Sequence, residues 1–414
     1  MAPDAPGPSG EPGAQAALDV TDSGTTVARH VAGPDGYAPV PCSAPRAGSQ
    51  QAVPLVGGAP GLGPGPVAAE PLSHPYYSGE VSTPGTVRWG ILGPGRIARA
   101  VVPDFVHVDG AELVAVASRS AERAQAFADE LGVPRAHGSY AELLAADDVD
   151  VVYIATTHPQ HHALALAAIA AGKAVLVEKT FTATTAGAEE VVAAARAARV
   201  FAMEAMWTRF QPAVVAARTL IESGAIGEVR QLQADLGVDR PYDESDRAFD
   251  PAQGGGALLD LGVYVVSLAQ YVLGTPDHLE VTGSLAPSGV DREVGLLLGY
   301  DDGRAATLLC TLRQATPGAA RIFGTEGFID IPPRFHHPDR IVLHRNGAEP
   351  EELVRPPQGA GYSHELVEVS ACLREGRTES SVMPLADTLA VQRILNEAAE
   401  RLGVVFAEDT TVEV

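Results

Sequence analysis

The chain is short of basic residues, of aromatics and of cysteine. Its 414 residues include 29 Lys and Arg against 52 Asp and Glu, for a net charge of -23 and a pI near 4.8. A nucleic-acid interface needs a concentrated basic face, so this balance argues against one. It argues equally against attachment to anionic lipid. Only 5% of the residues are Phe, Trp or Tyr, so whatever core exists is mostly aliphatic. Cys42, Cys310 and Cys372 lie far apart, with no CxxC or Cys/His ligand spacing. Disulfide and zinc frameworks are therefore not expected, no metal site is expected, and a reducing, cytoplasmic setting is favoured. There is no run of about 18 consecutive apolar residues, so no membrane span is expected. The first residues lack a basic segment followed by an apolar one, so no secretory signal is read there.

What is present is unevenly distributed. Hydrophobic residues make up 46% of the chain and charged ones 20%, enough for a sizeable core, and the length allows two or three domains. Residues 1–84 are rich in Pro, Gly and Ala and contain no Phe or Trp. Such a stretch buries too little apolar surface to offset chain entropy, and it is expected to be a disordered extension.

From Val87 short apolar runs alternate with helical patterns. Strands are predicted at 87–92, 112–118, 150–155, 174–178 and 200–204. Helices are predicted from the Gly93 turn to about Val106 and over 120–131, 140–145, 159–171 and 185–198. That alternation predicts βαβ units and a doubly wound parallel sheet over 85–207. Beyond it the texture changes. After a helix at 208–223, strands are predicted at 228–238, 278–285, 292–300, 304–313, 328–331 and 340–345. A helix over 256–273 interrupts them, and helices at 363–375 and 385–402 close the chain. Consecutive strands without intervening helices predict an open, mostly antiparallel sheet covered by helices on one face, over 208–403, with a tail at 404–414. The fold class is thus α/β followed by α+β.

Four places carry chemistry. Gly93-Pro94-Gly95-Arg96-Ile97-Ala98 fits G-x-G-x-x-G/A between a strand and a helix. In that context Gly93 permits the turn and Gly95 the approach of a pyrophosphate, which predicts dinucleotide binding. The second strand ends in Ser118-Arg119, with Arg123 one turn on, where an NAD site would carry a carboxylate. A hydroxyl and two guanidiniums suit a 2′-phosphate, so NADP(H) is expected over NAD(H); solvated helix arginines are the plainer alternative. Thr156, His158 and His161 follow the strand at 150–155 and are read as cofactor contacts, His161 placed to meet either the linkage to Lys179 or the nicotinamide ribose, against a capping role for the histidines.

The strand at 174–178 leads to Glu178-Lys179 at its carboxyl end, where open α/β sheets bind ligands. Lys179 is read as a general acid/base or an electrostatic clamp, and Glu178 as a cofactor contact or a counter-charge. Asp260 and Tyr264 lie at i and i+4 after Gly254-Gly255-Gly256 and share a helical face. With a nearby cation lowering its pKa, the Tyr264 phenol can exchange a proton with an alcohol. Lys179 is expected to be that cation.

Gly93-x-Gly95-x-x-Ala98, Glu178-Lys179 and Gly255-Gly256-x-Leu258-x-Asp260-x-Gly262-x-Tyr264 resemble the Gfo/Idh/MocA oxidoreductase family, over about 87–403. Ala117-Ser118-Arg119, His158-Pro159-Gln160-His161 and Met203-Glu204-Ala205-Met206-Trp207-Thr208-Arg209-Phe210 are most similar to its dimeric dihydrodiol dehydrogenase and NADP-dependent xylose dehydrogenase group. The resemblance implies an oxidoreductase moving a hydride between nicotinamide and a secondary alcohol or carbonyl of a sugar or cyclic diol. It implies NADP held near Arg119 and Arg123, and Lys179, Asp260 and Tyr264 around the reacting carbon. It also implies Trp207, with Arg209 and Phe210, at the substrate pocket, and a homodimer through the open sheet face. A silent NADP-binding sensor, and a redox-assisted lyase or glycosidase, remain alternatives on the same fold. Thr180 departs from the pattern, since the family carries proline after Glu-Lys. Threonine tolerates extension, and Lys179 is expected to keep its place.

Overall fold

The computed structural model describes residues 85–414, so the extension read over 1–84 lies outside the described residues. The first half runs β1 (Val87–Leu92), α1 (Arg96–Val101), β2 (Ala111–Ala117), α2 (Ala121–Leu131), β3 (Arg135–His137), α3 (Tyr140–Leu144), β4 (Val151–Ile154), α4 (His158–Ala170), β5 (Ala174–Glu178), α5 (Thr185–Ala198) and β6 (Ala202–Ala205). The strands form one parallel sheet in the order β3-β2-β1-β4-β5-β6. Helices cover both of its faces, which is why β4, β5 and β6 read as unbroken buried runs rather than alternating ones. The strand order reverses between β1 and β4, and the crevice beyond their carboxyl ends is where such sheets bind ligands.

The second half runs α6 (Pro212–Glu222), β7 (Val229–Gly237), α7 (Val263–Leu273), β8 (His278–Leu285), β9 (Asp291–Gly299), β10 (Ala305–Thr311), β11 (Ala320–Gly324), β12 (Gly327–Ile331), β13 (Arg340–Arg345), β14 (Glu351–Val354), α8 (Ser363–Arg374) and α9 (Leu385–Leu402). Its eight strands are ordered β14-β13-β12-β11-β7-β10-β9-β8, antiparallel throughout except for the β7–β10 pair. Helix α9 reaches back to α5, where Thr185 Oγ1 donates to Asn396 Oδ1 (3.0 Å) and Arg393 pairs with Glu189 (2.7 Å).

Several predicted elements differ in detail, each for a local reason. The helix expected to reach Val106 is α-helical only to Val101 and continues as a 3-10 helix over Val102–His107. Pro103 lacks the N–H that the α ladder would use there. The helix expected from 208 starts as a 3-10 turn, Trp207–Phe210, and α6 begins afresh with Pro212 in its first turn. Strands β3 and β14 are edge strands of three and four residues, too short to show a period. The segment 256–273 opens with a π-helical turn, Leu258–Gly262, before α7. The stretch Pro251–Leu273 is long and apolar enough to cross a membrane, but 83% of that window is buried inside the fold, as befits a core helix.

Candidate active site

One cleft of about 1030 Å³ runs from the carboxyl ends of β1, β2, β4 and β5 to the start of α7. Gly93, Pro94, Gly95, Arg96 and Ile97 form one wall, and Ser118, Arg119 and Arg123 close one end. Thr156 and His158 line it opposite, and Glu178, Lys179, Asp260 and Tyr264 meet at the other end.

The glycine turn is shaped for a ligand. Gly93 has φ +97°, and a Cβ there would lie 2.8 Å from Thr156 Cγ2. Gly95 caps α1 without a side-chain bond, so the first-turn N–H groups at Arg96 and Ile97 are left without a capping side chain. The buried Thr156 hydroxyl has no partner among the described residues. At the far end Arg119 hydrogen-bonds Tyr140, and among the described residues neither Arg119 nor Arg123 is tied into an ion pair. Unspent donors along one wall and two guanidiniums at its end fit the phosphates of a dinucleotide.

At the reacting end Lys179 follows β5, the strand next to β4. Its Nζ donates to the Asp260 carbonyl (2.8 Å) and to Asp260 Oδ1 (3.0 Å), and lies 4.8 Å from the centroid of the Tyr264 ring. The carbonyl contact falls within the π turn, a distortion often found at functional sites. Tyr264 Oη accepts from Trp207 Nε1 (3.1 Å). Lys179 also holds the Asp260 carboxyl well below the usual carboxylate range against burial. For Lys179 itself, burial opposes the charge, but Tyr264, Asp260 and Glu178 together raise it above its ordinary value, so the ammonium persists. Tyr264 goes the other way from the sequence expectation. Burial raises it, and Lys179 only partly offsets that. At neutral pH both groups carry their protons.

Glu178 is also held by the protein. Tyr153 Oη donates to one carboxylate oxygen and the Lys179 N–H to the other (3.2 Å), while burial pushes the acid up to about 7. His158 is driven down to about 3, chiefly by burial, so its ring is neutral and Nδ1–H donates to the Gly254 carbonyl (3.1 Å). The Lys179–Thr180 peptide is cis.

Four residues expected at the site stand behind it. His161 is fully buried and does not line the cleft. Its Nδ1 lies 2.9 Å from the Thr180 carbonyl, and burial lowers it to about 4, so its one N–H serves that carbonyl rather than a cofactor. Arg209 is 1% exposed and bound to Asp387 (2.6 Å) and Gln270 (2.7 Å), so it ties α9 to α7 instead of meeting substrate. Phe210 belongs to the core. Trp207 does not line the cleft itself but backs two residues that do: its indole N–H bonds Tyr264, and its ring stacks on Tyr362 at 4.3 Å.

Tyr362 and Asp409 also line the cleft, and neither carries a signal in the sequence. Tyr362 comes from the turn before α8, where Asp104 accepts from the backbone N–H groups of Ala360, Tyr362 and Ser363. Arg247 lies near enough to Asp260 to favour its charge. Asp409, in the C-terminal tail, also lines the cleft. Its N–H donates to the Pro159 carbonyl (2.7 Å) and its carboxylate accepts from Gln160 (3.2 Å), with Arg119 opposite. Glu408 next to it accepts from Thr184 N (2.7 Å), and Val412 is buried among the sheet's hydrophobic residues. The tail is thus a wall of the nucleotide end. Deleting residues 408–414 is expected to weaken NADP+ binding about tenfold, roughly the worth of one or two hydrogen bonds. Fluorescence titration of the truncated and full chains checks this, and equal dissociation constants would remove the tail from the site.

Comparison with known proteins agrees along the chain. Residues 87–206 match the family described as "Oxidoreductase family, NAD-binding Rossmann fold", and residues 214–330 match "GFO/IDH/MocA C-terminal domain". A trans-1,2-dihydrobenzene-1,2-diol dehydrogenase from Mus musculus is 38% identical over 335 residues, covering 78% of this chain and 99% of that protein. An aldose-aldose oxidoreductase from Caulobacter crescentus, complexed with glycerol, superposes with a TM-score of 0.69 at 26% identity, over 76% of this chain and 98% of its own. A 3-ketoreductase from Actinomadura kijaniata, in complex with NADP and TDP-benzene, gives 0.67 at 26% identity, over 78% of this chain and all of its own (100%).

Proposed function

The chain belongs to the Gfo/Idh/MocA oxidoreductase family, and from that premise we propose that it is an NADP(H)-dependent dehydrogenase of a secondary alcohol in a sugar or cyclic diol. It is a dehydrogenase acting on CH–OH donors, and the similar proteins act on diols and sugars. The observation that carries the finer reading is Lys179, bonded to Asp260 and set over the Tyr264 ring within the cleft that holds the glycine turn. When bound, NADP(H) supplies the hydride acceptor or donor.

The protein's part is proton transfer and charge. Lys179 is a poor titrating base, because its neighbours hold it as an ammonium. It serves as a fixed positive charge that stabilises oxygen anion character on substrate or on Tyr264. Tyr264 is the proton carrier. In reduction its neutral phenol gives a proton to the new alkoxide; in oxidation its phenolate takes one from the alcohol. Asp260 keeps Lys179 aimed, and the neutral His158 adds no competing cation.

Because Tyr264 is raised above its ordinary value, its phenolate fraction grows with pH through the whole alkaline range. Oxidative kcat/KM is therefore expected to climb with pH without levelling off below about pH 10. Tyr264→Phe is expected to lose about 10²- to 10⁴-fold in kcat and to flatten that climb. The same climb in the variant would assign the proton to another group.

A further inference from the structure

We infer that Thr180 is a positioning residue: its hydroxyl, together with Asp291 on the opposite side, clamps the turn that carries Asp260 and so sets the aim of Lys179 and Tyr264. The inference rests on the proton-transfer roles proposed above for those residues.

The clamp is built from two directions. From the parallel sheet, Thr180 Oγ1 donates to the Leu259 carbonyl (2.7 Å), and Lys179 Nζ, one residue before, donates to the Asp260 carbonyl (2.8 Å). Two successive side chains beyond β5 thus reach two successive carbonyls of the π turn. The carbonyl of Thr180 is itself held by His161. A proline at 180 could make no such side-chain bond. From the second sheet, Asp291 at the start of β9 accepts from Leu258 N (2.6 Å). Asp291 is fully buried, and a Cβ on Gly256, which has φ +116°, would lie 2.2 Å from its Oδ1. That close approach explains why the third glycine of the run is a glycine.

The π turn leaves backbone groups outside a regular i→i+4 ladder, and the clamp occupies those at Leu258 and Leu259. The two residues that flank this segment toward the cleft, Asp260 and Tyr264, inherit their positions from it. Thr180 is 1% exposed and does not line the cleft, so it acts through Leu259 rather than on substrate.

The test compares Thr180→Val, which keeps the shape and removes the donor, with Thr180→Ser, which restores it. A misplacement of about 1 Å at reacting groups costs up to about 100-fold in rate. Thr180→Val is expected to lower kcat about tenfold or more with the NADP+ dissociation constant unchanged, because the nucleotide wall lies on other elements. Thr180→Ser is expected to recover most of kcat. Asp291→Ala should repeat the Thr180→Val pattern from the other side. Asp291→Asn should be mild, since burial pushes that carboxyl up to about 7 and its protonated form is then an amide's near-isostere.

Trp207 gives a readout independent of turnover, because its indole N–H donates to Tyr264. Its emission is expected to shift in Thr180→Val and return in Thr180→Ser. Unchanged kcat and emission in Thr180→Val would overturn the inference. So would equal losses in the Val and Ser variants, or a parallel loss of NADP+ affinity. A wild-type protein that turned over no diol or sugar would instead defeat the proposed function, and the Trp207 emission would still decide the clamp.

Discussion

Lys179→Met is expected to lower kcat by about 10²- to 10³-fold, the usual loss when one preorganised donor to a developing oxyanion is removed. Methionine keeps the length and apolar stem, so the cleft stays filled. What disappears is the cation between Asp260 and Tyr264, bonded to the first at 3.0 Å and 4.8 Å from the ring of the second. Two consequences reinforce each other. Without Lys179 the Asp260 carboxylate loses the largest influence holding its charge. Tyr264, already raised by burial, loses the charge that partly offsets it and rises further. NADP+ binding should survive, because the glycine turn, Arg119 and Arg123 sit elsewhere in the cleft. Stopped turnover with intact nucleotide affinity is the expected pair of results. A kcat within a few-fold of wild type would remove Lys179 from the chemistry, and a parallel loss of affinity would make it a cofactor contact instead.

Replacing both Arg119 and Arg123 by alanine is expected to raise KM for NADP+ by about 10²- to 10⁴-fold, since each charge-assisted bond contributes about 1.5–3 kcal/mol. KM for NAD+ should barely move, because no 2′-phosphate is present to lose a partner. The basis is local. Ser118 follows β2 where an NAD-selecting site would carry a carboxylate, and the next helix, capped by Ser120, presents Arg123 one turn on. Asp409 stands across from Arg119, so the pair at this end is not unopposed. Initial rates with both nucleotides, at one salt concentration, read the selectivity directly. Equal shifts for NAD+ and NADP+ would mean that the arginines hold the site's shape rather than select the phosphate.

Much of this site is legible in the chain because each piece carries a local signal. The run Ala174-Val175-Leu176-Val177-Glu178 is apolar enough to be a central strand, and that alone puts Lys179 at a ligand-binding edge. The glycine turn is read from its strand-and-helix context, and Asp260 and Tyr264 from their spacing after three glycines. Other features have no local signature. A π turn uses the same residue types as an α turn, so Leu258–Gly262 is not visible in composition. Tyr362 and Asp409 reach the cleft from distant segments, and only tertiary contacts such as Asp104 with the Tyr362 N–H bring them there. Arg209 shows the opposite failure. It lies in a recognisable run beside Trp207, yet its guanidinium bonds Asp387, Gln270 and Ser267 inside the core. Proximity in a motif did not mean proximity to substrate. Thr180 reads in the sequence as a gap in the pattern, and its hydrogen bond to Leu259 becomes visible only when the second half of the chain folds against β5.

Coupling of NADP(H) to oxidation of a diol or sugar alcohol through Lys179 and Tyr264 is the proposed function of this cleft. It is tested most directly by the initial rate of NADP+ reduction by the purified full chain, with trans-dihydrodiols, pentoses, hexoses and inositols, and NAD+ as the parallel cofactor. Saturable reduction of NADP+ by at least one of these substrates, in preference to NAD+, is the predicted result. NADP+ that binds but is never reduced by any of them would contradict it.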